Sequence, residues 1–174
     1  MQRVHPTLVT NKSMLSKVDN ELNTIVVNDE YTDKIMILGK GAGQKPTASS
    51  VISDILNISD ENKKKTLFVT SNNKYKLISQ DILNREGKFY IRMGVIDKPG
   101  VLADITQYFK RQKISIKSMF QLDDKFKNIV PLIFITHKVS EKKIKLVLNR
   151  MKVLKNIRTQ ITLLRIEDLE WKKL

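Results

Sequence analysis

The chain has 174 residues and carries 32 Lys and Arg against 18 Asp and Glu, a net charge of +14. That length fits one or two small domains and excludes a large enzyme. Hydrophobic residues at 41% with only 6 Gly and 4 Pro exclude a disordered chain, and the absence of cysteine excludes a disulfide scaffold and thiolate metal sites.

In chain order, apolar runs at Thr24 to Val27 and Lys34 to Leu38 flank the polar stretch Asn28 to Asp33, which predicts two strands and a turn. Gly39-Lys40-Gly41-Ala42-Gly43 follows, then Pro46, then apolar residues Ala48, Val51, Ile52, Ile55 and Leu56 along one face of a helix. Pro46 suits the first helical turn, where its missing N–H would have had no partner. A strand, a glycine-rich turn and a helix start can cradle a phosphate. The spacing, however, fits neither the dinucleotide fingerprint nor the P-loop, so by itself it favours a structural turn. Residues 59–88 are polar, with short apolar stretches at Leu67 to Val69 and Leu77 to Ile78, and read as a linker with one weak strand.

From Phe89 the pattern is richer. Phe89 to Val95 predicts a strand, Asp97-Lys98-Pro99-Gly100 a tight turn, and Val101, Leu102, Ile105 and Phe109 one face of a helix with Asp104 in its first turn. Ile114 to Leu122 alternates, with Ile114, Ile116, Phe120 and Leu122 assigned to one face, and predicts a half-buried strand. Ile129 to His137 predicts another strand, against which Pro131 counts unless it lies at the strand's start or a bulge. Ser140 offers an N-cap to a helix whose apolar face is Ile144, Val147, Leu148, Met151 and Leu154 and whose other face is lysine-rich, and Thr159 to Ile166 closes the series. The order βαββαβ predicts an α+β, ferredoxin-like unit: a four-stranded antiparallel sheet with two helices on one face.

Charge is uneven, net −1 over residues 1–60 and +15 over residues 61–174, the footprint of a nucleic-acid binder. Against that alternative, Lys, Ile and Asn are in joint excess at 25, 20 and 12 residues, which is a compositional drift, and no aromatic residues interleave with the lysines. No apolar run reaches the roughly 20 residues that span a bilayer, and the first residues lack a signal peptide's apolar stretch. The expectation is a cytoplasmic protein without a membrane partner.

Asp97-Lys98-Pro99-Gly100-Val101-Leu102-Ala103-Asp104-Ile105, set between strand and helix, resembles the ACT domain, a regulatory module that binds amino acids. Ile114-Ser115-Ile116 to Gln121 and Thr136-His137 further resemble the ACT domain at the end of bacterial homoserine dehydrogenases. The first part agrees: Gly41-Ala42-Gly43-x-x-Pro46-Thr47-Ala48-Ser49-x-Val51-x-x-Asp54 looks like that family's final catalytic-region motif, and His5-Pro6-Thr7-Leu8-Val9 like a strand leading into it. The resemblance implies residues 1–58 as the end of the catalytic and dimerisation region, 59–88 as linker, 89–167 as ACT domain and 168–174 as tail. It implies NAD(P) as the cofactor of the complete enzyme, which interconverts L-aspartate 4-semialdehyde and L-homoserine toward threonine and methionine. On the cofactor side it carries over Gly43, with Gly41 and Ala42 as neighbours.

The family's Rossmann domain and its catalytic Lys, Asp and Glu segment do not correspond to anything in these residues. The expectations are therefore no catalytic residue, no metal ligand, an inactive isolated chain, and a possible separate chain bearing those segments. His5 and His137 read as ordinary positions. For the effector, the N–H groups of Val101 and Leu102 after the Gly100 corner are the expected carboxylate donors, with Asp97 and Gln121 as further contacts, threonine as ligand and a homo-oligomer formed through the ACT domain. The competing readings are a tight turn that has lost ligand binding and a stand-alone amino-acid-binding regulator.

Overall fold

A computed structural model describes residues 4–29, 31–60, 81–122 and 129–167. Its elements begin with β1 (Thr7–Val9), β2 (Leu22–Asp29), β3 (Asp33–Lys40), α1 (Gln44–Ser59), β4 (Glu86–Ile96) and α2 (Val101–Arg111). They continue with β5 (Ile116–Gln121), β6 (Ile129–Thr136), β7 (Val139–Ser140), α3 (Glu141–Met151) and β8 (Thr162–Glu167). Two units result, one of residues 4–10 with 81–167, the other of residues 11–60. The apolar stretches Leu67 to Val69 and Leu77 to Ile78 of the expected linker and the tail at 168–174 lie outside the described residues.

The sheet of the larger unit runs β1-β8-β4-β6-β5. Without β1 this is the antiparallel order of the split βαββαβ pattern, as the sequence predicts. Period-two alternation places Phe89, Ile91, Met93 and Val95 of β4 and Val130, Leu132 and Phe134 of β6 on one face, all buried. Helical spacing brings Val101, Ile105 and Phe109 of α2 and Ile144, Val147, Leu148 and Met151 of α3 into the same core. The Phe109 and Phe134 rings lie 5.1 Å apart, tilted by 44°, a geometry worth about 0.5–1.5 kcal/mol beyond the area buried. Two polar arrangements brace this core. The Phe89 N–H donates to the buried Thr136 Oγ1 at 3.1 Å. Arg165 grips the fully buried Glu141 with two donors, Nε reaching Oε2 at 3.0 Å and Nη2 reaching Oε1.

Pro131 is accommodated for a specific reason. It is the third residue of β6, and its carbonyl accepts from the Leu122 N–H at 3.1 Å, so its backbone faces β5 just where β5 ends. The missing N–H therefore interrupts no interior ladder bond. Ser140 takes the N-cap position of α3, but no side-chain bond forms there; the first helical N–H, of Glu141, donates to the Arg85 carbonyl at 2.9 Å instead.

The first residues extend the sheet of the larger unit: β1 pairs in parallel with β8, Thr7 to Arg165 and Val9 to Glu167, and becomes its edge strand. One expectation changes. β5 does not keep one alternation: the register steps from Ile116 opposite Thr136 to Ser118 opposite Ile135, so Lys117 is an extra, bulged residue. A one-residue slip exchanges the faces. Ile114 is buried, whereas Phe120 and Leu122 come out 51% and 50% exposed.

The smaller unit holds the predicted hairpin, β2 with β3, in which Ile25 faces Ile37 and Val27 faces Ile35. The predicted helix α1 follows, with Pro46 in its first turn. None of its residues is buried: Val51, Ile52, Ile55 and Leu56 are 53%, 57%, 60% and 63% exposed. The apolar stripe read from the sequence exists but covers nothing among the described residues.

Candidate functional site

Two glycine-dependent corners carry the predicted site residues. At the first, Gly43 is the N-cap of α1 with φ +112° and ψ +156°, a conformation essentially confined to glycine. Its carbonyl accepts from the Thr47 N–H at 3.2 Å and from Thr47 Oγ1 at 2.8 Å, fixing the turn to the helix start. Gly41 donates its N–H to the Glu21 carbonyl at 3.4 Å, tying the same turn to the hairpin. Ala42, Gly43, Gln44, Lys45, Pro46 and Ser49 then line a groove of about 670 Å³.

Sequence reasoning missed the charged wall of this groove. Lys40 and Glu21 also line it, their Nζ and Oε1 2.8 Å apart. The Lys40 ammonium holds the Glu21 carboxyl below its ordinary range. The available signal was the strand pairing: Leu22 sits opposite Lys40, so Glu21 lies beside the residue that precedes Gly41. Chemically, the groove combines a bare glycine backbone, a helix start, the Lys40–Glu21 ion pair and the further cation Lys45.

At the second corner the chain leaves β4, and Lys98 N–H donates to the Ile96 carbonyl at 3.0 Å. Gly100 is left-handed, φ +89° and ψ −21°, and caps α2, a backbone state that costs a residue with a Cβ roughly 1–2 kcal/mol. Its carbonyl accepts from the Asp104 N–H at 3.0 Å. The two expected carboxylate donors differ. The Val101 N–H points to the Lys98 carbonyl at 3.4 Å, whereas among the described residues the Leu102 N–H has no protein acceptor. Asp97 and Gln121, 24 residues apart, are brought together: Gln121 Nε2 donates to Asp97 Oδ1 at 3.4 Å, in the open. The corner thus carries an exposed carboxylate and amide in contact, and a helix N–H without a protein acceptor.

His5 Nδ1 contacts Thr7 Oγ1 at 2.8 Å, and the backbone N–H of His137 donates to the Ser115 carbonyl at 3.0 Å. Among the described residues no cluster of His, Asp and Glu could hold a metal ion, and no helix is long and apolar enough to cross a membrane.

Two family models match this chain. The family model described as homoserine dehydrogenase matches residues 1–56, and the ACT domain model matches residues 89–156. A homoserine dehydrogenase of Helicobacter pylori is 34% identical over 157 residues, which is 90% of this chain and 36% of that protein. One of Pseudomonas aeruginosa is 30% identical over 174 aligned residues, 96% of this chain and 40% of its own length. The crystal structure of a homoserine dehydrogenase from Thiobacillus denitrificans superposes with a TM-score of 0.78 at 29% identity, covering 96% of this chain and 39% of that one. This chain therefore spans well under half the length of the relatives it matches.

Proposed function

The chain belongs to the homoserine dehydrogenase family as its carboxy-terminal part, with an ACT domain, and from that premise we propose that it is the regulatory portion of such an enzyme and binds a free amino acid, threonine, at the Asp97–Gly100 corner. The observation that carries this reading is the meeting of Gln121 with Asp97 beside the left-handed Gly100 that launches α2. A zwitterion needs an anion for its ammonium and donors for its carboxylate, and Asp97 and the Leu102 N–H supply one of each. Magnitude says that these are not enough. A helix N-terminus contributes about 0.3–1 kcal/mol, whereas micromolar to millimolar affinity requires roughly 4–8 kcal/mol. Contacts to the ligand side chain, or from a second copy, must supply the remainder.

In the same reading, residues 1–58 end a catalytic region whose complete form interconverts L-aspartate 4-semialdehyde and L-homoserine with NAD(P), and Gly41, Ala42 and Gly43 belong to the cofactor side. Gly43 is compatible with that role, because it lines the groove with backbone alone. NAD(P) would supply the hydride acceptor or donor; this chain's contribution is to bound the ring's pocket. The Rossmann and catalytic segments lie upstream in this reading, on the same polypeptide or another. The open apolar stripe of α1 supports such a neighbour.

Titration calorimetry on the 174-residue chain tests the effector: threonine should release or absorb heat at millimolar concentration, and Gly100→Trp should abolish the signal. No heat from the parent chain rules threonine out. The purified chain should not oxidise NADPH in the presence of aspartate semialdehyde; turnover above a protein-free control would overturn the assignment of catalysis to upstream segments.

A further inference from the structure

The face of the larger unit's sheet that carries no helix holds a recess built around Gly94. β8 begins only at Thr162, opposite Arg92, so the last residues of β4 are served by the segment before it. Arg158 N–H donates to the Gly94 carbonyl at 2.8 Å, and the Gly94 N–H donates to Thr159 Oγ1 at 2.7 Å. On its other side Gly94 stands opposite Pro131 of β6. A Cβ at Gly94 would lie 2.6 Å from Thr159 Cγ2 and 2.9 Å from Ile129 Cγ2, so only glycine lets both flanking side chains approach this closely. The resulting cavity of about 480 Å³ is of a size that small-molecule sites occupy.

The lining has one chemical sense. Phe89, Ile91, Met93 and Val95 turn to the core beneath the helices, so Arg92 and Gly94 belong to the opposite face. Arg92 is exposed, and it has no oppositely charged partner among the described residues. Thr159, Gln160 and Thr162 add hydroxyl and amide groups, Ile129 and Pro131 supply an apolar wall, and no lining residue is acidic. A guanidinium is a planar fork that matches a carboxylate. A ligand bearing an ammonium would meet the Arg92 charge with no lining carboxylate to oppose it. The apolar wall calls for a carbon body, which inorganic phosphate lacks. This is the reverse of the chemistry at the Asp97 corner, with which the recess shares no residue.

We propose that the recess is a second binding site, for a small organic carboxylate that carries no ammonium group. Arg92 grips the carboxylate, and the alkyl body lies against Ile129 and Pro131. The site stands independently of the effector reading above.

Amide NMR on the 174-residue chain tests it, with isovalerate as the probe and L-valine, the same carbon skeleton with an ammonium, and inorganic phosphate as comparisons. Millimolar isovalerate should move the Gly94, Thr159 and Thr162 amides and saturate. Arg92→Gln should weaken binding about tenfold, the size of one charge-assisted contact, and leave the urea midpoint unchanged because Arg92 is exposed. Arg92→Lys, which keeps the charge and loses the fork, should fall between the two. Asp97→Asn should bind isovalerate as the parent chain does. Unmoved amides, or undiminished binding by Arg92→Gln, overturn the site. Equal shifts at the same amides from L-valine or from phosphate alone overturn the class of ligand assigned to it.

Discussion

Residues 81–167 and residues 11–60 use the same local grammar to opposite ends. Both contain helices with a clean apolar stripe and strands with β-branched residues. In the first region Ile105, Phe109, Ile144 and Met151 vanish beneath a sheet; in the second Val51, Ile52, Ile55 and Leu56 remain more than half exposed. The contrast shows that amphipathicity specifies a demand for a partner surface and says nothing about where that surface lies. The ACT-like region meets its own demand, and the region matching the dehydrogenase model does not.

The largest break in this comparison should come from Phe134→Ala. Its ring is fully buried against Phe109, and the loss should be about 3–5 kcal/mol, read as a fall in the urea midpoint of the carboxy-terminal unit. Ile55→Ala, a deletion of similar kind in α1, should shift that midpoint by less than about 0.5 kcal/mol. An equal loss at both positions would mean that α1 is covered in solution. Next, Glu141→Gln strips the charge opposing Arg165 inside the fold, and removing one member of such a pair should cost about 3–5 kcal/mol at neutral pH. Chemical denaturation of the variant measures it.

Thr136→Val, close to isosteric, leaves the Phe89 N–H without its acceptor and should cost about 1–3 kcal/mol; amide exchange at Phe89 should accelerate in step. The smallest effect belongs to Glu21→Gln. Lys40 lowers the Glu21 carboxyl's folded value, so any stabilisation is present above the ordinary carboxylate range and fades as pH falls through the lowered value. Because the pair is solvent-exposed, wild type and variant should differ slightly at neutral pH, less with added salt, and not at all in strong acid.

The sequence was legible wherever one periodicity sufficed. Val101, Ile105 and Phe109 announced α2, Ile144 to Met151 announced α3, and the Pro99-Gly100 corner marked where β4 gives way to a helix. What escaped depended on pairing at a distance. The bulge at Lys117 reverses the faces of β5, and nothing in the local alternation encodes a bulge. Glu141 lies in the first turn of α3, where no local pattern marks it as interior; its apposition to Arg165, 24 residues on, pairs it inside the fold. At the candidate site, Asp97 and Gln121 were legible through resemblance, whereas the Glu21–Lys40 wall required the hairpin register.

The parallel attachment of β1 to β8 bears on how this protein can be taken apart. Three residues belonging to the dehydrogenase-like segment are woven into the rim of the ACT-like unit's sheet. A scissile cut placed in the intervening polar stretch would not liberate two autonomous pieces, because the later piece would shed a rim strand that originates far earlier in the polypeptide. Anyone transplanting this unit onto another host should carry that tripeptide along, fused or added as a peptide.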